Sequence, residues 1–166
     1  MPGPGVRADV AKEPIARGVV VALPTHHGEP LAMLRREALS IMRALDTEAE
    51  PADKVSAEAD FCVLLIEADT AGDLQLPDLK DRAGTVVAVG DDEPACRLAI
   101  TRARRELRAH GATLGARELV LRPDAFGVLG LESDGLREKL EILLRALASD
   151  AERLRLRREG WEEPLE

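Results

Sequence analysis

Two short apolar runs constrain this chain most: Phe61-Cys62-Val63-Leu64-Leu65-Ile66 and Thr85-Val86-Val87-Ala88-Val89-Gly90. Each has the length of a strand and no polar alternation. That is the pattern of a strand buried on both faces of a parallel sheet. Gly18 to Leu23 has the same character. Helical patterns separate these runs. Leu31, Leu34, Ala38, Ile41, Met42 and Leu45 recur at helical spacing and predict a helix from about Pro30 to Leu45. Pro30 suits its first turn, where the missing N–H costs no hydrogen bond. A second helix is expected over Arg97 to His110, stopped by Gly111. A strand at Glu118 to Arg122 follows, then a last helix from Ser133 to about Leu147. Ser133 is placed to cap it, and Leu136, Leu140, Leu143, Leu144 and Leu147 form its apolar face. This alternation predicts one three-layer α/β domain, a doubly wound parallel sheet with helices on both faces.

The domain is expected to span residues 18–149. Residues 1–17 carry Pro2, Pro4, Pro14, Gly3 and Gly5 and read as a flexible leader. Residues 150–166 read as a charged tail that continues the helix and then frays. Asp46 to Glu58 is acidic, contains Pro51, and reads as a linker or one irregular helical turn. Ala68 to Gly84 is a second polar stretch. Connections this long inside a compact domain are often functional.

Charge and composition narrow the partners. A chain of 166 residues can bury a sizeable core. Its net charge of −8 argues against a nucleic-acid partner, which needs a basic surface. The arginine clusters at Arg102–Arg108 and Arg153–Arg158 are interleaved at helical spacing and read as solvated helix faces. No apolar run is long enough to span a bilayer. Cys62, inside an apolar strand, reads as a core residue. Cys96 lies near a helix start, where a thiolate is favoured, yet it too reads as structural. Two cysteines give no disulfide framework, which suits a reducing cytoplasm.

In a sheet of this kind, right-handed crossovers bring every βα loop to one edge. Ligands sit there, at the carboxyl ends of the strands. Three loops are therefore candidates: Pro24 to Glu29, Glu67 to Asp73, and Gly90 to Pro94. His26, His27, Glu67, Asp69, Asp91 and Asp92 are residue types that bind metals, but no supporting ligand spacing occurs and no metal is expected. Asp91-Asp92-Glu93 is more simply helix N-terminal chemistry. No nucleophile elbow and no P-loop are present.

The second half of the chain resembles the NADPH-dependent FMN reductase family of flavodoxin-like proteins. Ala59-Asp60 precedes a strand, as in the family. Leu79-Lys80-Asp81-Arg82-Ala83-Gly84 resembles its turn into the next strand. Leu107 to Gly111-Ala112 has the shape of its helix end. Asp124-Ala125-Phe126 and Glu132-Ser133-Asp134-Gly135-Leu136 are similar to its last loop and helix start. The resemblance covers just over half of the chain.

The loops depart from the family. Its first loop, Gly-Ser-x-Arg and a serine, cradles the FMN phosphate at a helix N-terminus. Here it reads Leu23-Pro24-Thr25-His26-His27-Gly28-Glu29, without arginine and with an acid. The second, Pro-Glu-Tyr-Asn-Gly, is replaced by Glu67-Ala68-Asp69-Thr70-Ala71-Gly72. The third holds Asp91, Asp92 and Glu93. A carboxylate beside a phosphate costs about 1–4 kcal/mol in a partly desolvated site. The second strand also reads as reduced. The chain is thus similar to a divergent member with degenerate flavin loops.

The resemblance implies an NAD(P)H-dependent flavin reductase-like oxidoreductase. Thr25, His26, His27 and Gly28 would then meet the FMN phosphate. Asp69, Thr70 and Gly72 would lie by the ring, and Gly90 would let backbone approach it. No residue stands out as an acid–base catalyst. The resemblance also implies a homo-oligomer, or a hetero-oligomer with a related flavoprotein. Two other readings remain open: a non-catalytic structural or regulatory subunit, and a small-molecule binding domain without redox chemistry.

Overall fold

A computed structural model describes residues 15–24, 28–68, 74–127 and 130–160. The three apolar runs form β1 (Arg17–Leu23), β3 (Phe61–Glu67) and β4 (Ala83–Val89). They are joined by β2 (Glu48–Ala52), β5 (Thr113–Leu114) and β6 (Leu119–Leu121). All pair in parallel, in the order β2-β1-β3-β4, with β5 and β6 both on the far edge of β4. This is the doubly wound order expected from the alternation.

The far edge is interrupted. Gly84 pairs with Leu114 and Val87 with Leu119, so the edge takes five residues to advance where β4 takes three. The extra residues bulge out and split one strand into two. A small antiparallel pair, β7 (Phe126–Gly127) with β8 (Gly130–Leu131), follows it.

Three helices cover the sheet. α1 (Glu29–Ala44) and α3 (Asp134–Arg158) lie on one face, and α2 (Glu93–Ala109) on the other. Strand alternation feeds both cores. Val20, Phe61, Val63, Leu65 and Val87 pack under α1 and α3. Val21, Cys62, Leu64, Ile66, Val86 and Ala88 pack under α2. Cys62 is thus the core residue expected, its thiol pushed up to about 12 by burial. Among the described residues no helix joins β2 to β3 or β3 to β4. Val55 and Leu79, with Leu74 and Leu76 partly buried, cover the α2 face instead.

Two readings of the sequence are corrected. Asp46 to Glu58 is neither a linker nor a helical turn: Glu48–Ala52 is an edge strand on β1, the reduced second strand that the resemblance implied. Only Ala49 of that strand is buried, and Pro51 is tolerated because an edge needs no second hydrogen-bonding partner. The last helix runs on past Leu147 to Arg158, the continuation expected of the residues after 149, but that continuation is not a tail. Ala151 and Leu154 are fully buried and extend its apolar seam, so residues 150–158 belong to the core layer rather than to a tail. Residues 1–14 and 161–166 lie outside the described residues.

The helix ends follow the sequence signals. Asp92 Oδ1 accepts the Ala95 N–H at 3.2 Å and caps α2. Ser133 Oγ accepts the Leu136 N–H at 3.3 Å and caps α3. Gly111, at φ +98°, ends α2 as predicted. No helix of the described residues is long and apolar enough to cross a membrane.

Candidate functional site

The carboxyl ends of β1, β3 and β4 open onto a cleft of about 460 Å³. Gly28, Pro30 and Leu31 line it from the start of α1. Glu67 and Ala68 line it from the end of β3. Val89, Gly90, Asp91 and Asp92 come from the end of β4, and Ala95 and Pro123 complete it. The topology dictates this place. The chain leaves β1 for one face of the sheet and β4 for the other, so the connections diverge around β1 and β3 and leave a crevice.

Of the residues singled out in the sequence, Gly28 and Gly90 line this cleft. Thr25, His26 and His27, and likewise Asp69, Thr70 and Gly72, lie outside the described residues. The chain on the near side of both segments, Gly28 and Glu67-Ala68, does border the cleft.

Gly90 is small for a reason the sequence reading did not contain. A Cβ there would lie 2.7 Å from Cys96 Sγ and 2.8 Å from the Ala68 Cβ. Its missing side chain makes room for the protein's own packing, while its backbone borders the cleft. Cys96 is fully buried. Burial, and then Asp92, Asp91 and Glu93, push its thiol up from the ordinary value. The helix-start position alone favours a thiolate, but here burial and three acids outweigh it.

The two helices that begin at the cleft differ. At α2 the first-turn N–H groups meet the chain's own Asp92. At α1 the capping residue is Gly28, in extended conformation at φ −76°, with no side chain to offer, and Pro30 follows. The remaining first-turn N–H groups of α1 point out of the helix end, as they must, toward the side that Gly28, Pro30 and Leu31 line. The positive end of the helix dipole is directed there too.

The acids at the rim have partners that the sequence reading missed. Arg36, seven residues along α1, donates to Glu29 Oε1 at 3.1 Å. Arg122 lies 4.0 Å from Asp91 and 3.5 Å from Asp124. Arg97 donates to Glu93 at 2.8 Å. All these pairs are exposed and contribute little to stability. They do offset the negative potential that the loops alone would create. The signal for Arg36 was its spacing, since i and i+7 share a helix face. Nothing in the sequence ties Arg122 to Asp91, because the pairing of β6 with β4 brings them together.

The walls are mainly apolar: Leu31, Ala68, Val89, Ala95, Pro30 and Pro123. Among the described lining residues the titratable side chains are the carboxylates Glu67, Asp91 and Asp92. Among the described residues no group of three His, Cys, Asp or Glu side chains is arranged to hold a metal ion.

No family model matches the sequence, and no curated protein matches it. Solved structures do. A short-chain flavodoxin associated with a non-canonical PDU bacterial microcompartment is 16% identical, with a TM-score of 0.61 over 82% of this chain and 98% of that one. Oxidised flavodoxin 1 from Bacillus cereus is 18% identical, with a TM-score of 0.55 over 82% and 96%. An NADH:FMN oxidoreductase in its apo form is 15% identical, with a TM-score of 0.66 over 81% and 89%. At these identities the likeness is one of fold, and the fold is flavodoxin-like.

Proposed function

We propose that this chain is a flavin-binding protein that holds FMN in the cleft at the ends of β1, β3 and β4, and that it works as an NAD(P)H-dependent reductase of flavin or of a small acceptor. The observation that carries the proposal is the pairing of two features at one sheet edge: a mainly apolar cleft and an α1 N-terminus without a side chain of its own at the cap. A ring of flavin size needs the first, and a phosphate needs the second. The volume falls within the ordinary range of about 300–1,000 Å³ for small-molecule sites. Flavodoxins and an NADH:FMN oxidoreductase among the similar folds support the same reading.

In this reading Gly28 and Leu31 present backbone N–H groups to the phosphate, joined by Thr25, His26 and His27. Leu31, Ala68 and Val89 give the ring apolar contact and exclude water. Gly90 offers backbone at the ring edge, and Asp69, Thr70 and Gly72 complete the second loop. Arg36 and Arg122 keep the rim acids from repelling the phosphate. Bound flavin supplies hydride acceptance and donation, and the protein supplies orientation. The family resemblance adds a homo-oligomer, with the site close to the interface.

A non-catalytic role drew its support from the acidic loops and the lost arginine, tyrosine and asparagine. Arg36 and Arg122 remove part of that argument. Oxidation of NADH and NADPH by purified protein with added FMN tests the reductase reading. Turnover saturable in both cofactors is expected. Tight FMN binding without turnover would leave a flavin carrier and overturn the reductase step.

A further inference from the structure

The protein is acidic overall, yet the solvent face of α2 is basic. Leu98, Arg102, Arg105 and Ala109 are all exposed and fall on one line along the helix, at steps of four, three and four residues. Arg108 flanks that line and is also exposed. Between Leu98 and Ala109 the one acid is Glu106.

Two properties set this face apart. Elsewhere arginines are commonly engaged: Arg17, Arg36, Arg82, Arg97, Arg122 and Arg155 all meet carboxylates. Arg102, Arg105 and Arg108 meet none among the described residues; Arg35, Arg117, Arg145 and Arg157 meet none either, but they are scattered, whereas these three lie together on one helix face. Like charges three apart on a helix repel, so the arrangement brings this domain no stability. Leu98 is the second property. It is 51% exposed, the more exposed of the two large apolar side chains found at the surface among the described residues. An apolar anchor beside unmatched guanidinium groups is the composition of a protein interface rather than of a solvated face.

We propose that this face of α2 docks an acidic helix of a partner protein. Leu98, Arg102, Arg105 and Ala109 form a straight strip along the helix, a shape that another helix lying alongside matches. The arginines require carboxylates opposite them, and Leu98 requires an apolar residue. The seam is about 16 Å long at ~1.5 Å per residue, close to three helical turns. The surface lies on α2, away from the α1 end of the cleft, and the proposal does not depend on flavin binding.

The probe is a fluorescently labelled amphipathic peptide of about 15 residues, built of Glu with Leu once per turn, read by anisotropy at about 50 mM salt. Saturable binding is expected. Reversing Arg102, Arg105 and Arg108 together to Glu is expected to weaken it roughly tenfold or more, and Leu98→Ala severalfold. The control reverses Arg117, Arg145 and Arg157, which are also exposed and change net charge equally. It is expected to change affinity less than about twofold. Arg105→Glu alone, checked by circular dichroism, serves if the triple variant does not fold. Equal loss in both triple variants would reduce the effect to net charge and overturn the proposal. So would absence of peptide binding, tighter binding of a DNA oligonucleotide of similar length, or a dimer of the native protein dispersed by the α2 variant.

Discussion

The Arg158 guanidinium donates to the Asp60 carboxylate from 98 positions away. Asp60 also accepts the Arg17 N–H at 2.9 Å and lies 3.6 Å from Arg82. Arg158 donates as well to the Asp81 carbonyl. One buried carboxylate thus ties the start of β1, the approach to β4 and the end of α3 together, at the sheet edge opposite the cleft. Burial lowers the affinity of Arg158 for its proton, Arg82 adds to that effect, and Asp60 is the first of the acids that oppose it.

Removing Asp60 leaves two guanidinium groups without their carboxylate. Asp60→Ala is expected to cost about 3 kcal/mol of unfolding free energy in urea melts. Asp60 and Arg158 substitutions should be strongly non-additive in a double-mutant cycle. Additive effects would mean that the pair is not coupled.

Deleting residues 150–166 removes Ala151, Leu154 and Arg158 from the packed layer. Such a truncation is expected to lose cooperative thermal unfolding, because two buried apolar side chains and the Asp60 tie go together. Deletion of residues 161–166 alone leaves those groups in place and is expected to keep the transition.

The sheet was legible because β1, β3 and β4 are buried on both faces and so carry unbroken apolar runs. β2, a parallel edge strand with only Ala49 buried, left almost no pattern of its own and was reached only as the reduced second strand of the resemblance. The end of α3 was obscured by charge: Leu147, Ala151 and Leu154 continue the seam, but Asp150, Glu152 and Arg153 between them read as tail. At the site, topology pointed to the loops that carry Gly28 and Gly90, the resemblance singled out the two glycines, and both line the cleft. Arg36 and Arg122 were not, since charge pairing across turns and strands has no local signature.

Gly90→Ala must push against Cys96 and Ala68. A loss of about 1–3 kcal/mol is expected. Cys96→Ala in the same chain should restore part of it, since Sγ is the nearest obstacle. No recovery would place the strain at Ala68 instead.

Stability at high pH reports the buried thiols. The unfolded Cys62 thiol ionises near 9.0, the folded one near 12. Cys96 is shifted in the same direction. Between those values the unfolded chain is the more ionised. Stability is therefore unaffected below about pH 9 and falls above it, by about 1.4 kcal/mol per pH unit for each thiol that remains protonated in the fold. Cys62→Ala should shift the whole curve but flatten this slope. An unchanged slope would contradict the burial argument.

Arg36→Gln and Arg122→Gln uncover Glu29 and Asp91 at the rim. FMN affinity is expected to fall severalfold at low ionic strength, while riboflavin, which lacks the phosphate, should be affected less. Added salt should narrow the difference. Equal effects on both flavins would place the phosphate away from α1.

The most direct test of the cleft as a flavin site is titration of the purified protein with FMN, followed by quenching of flavin fluorescence, with Leu31→Glu as the variant. Saturable binding at micromolar FMN or tighter, lost in a folded Leu31→Glu protein, is the predicted result. Failure to bind at high micromolar FMN, or binding that Leu31→Glu leaves intact, would contradict it.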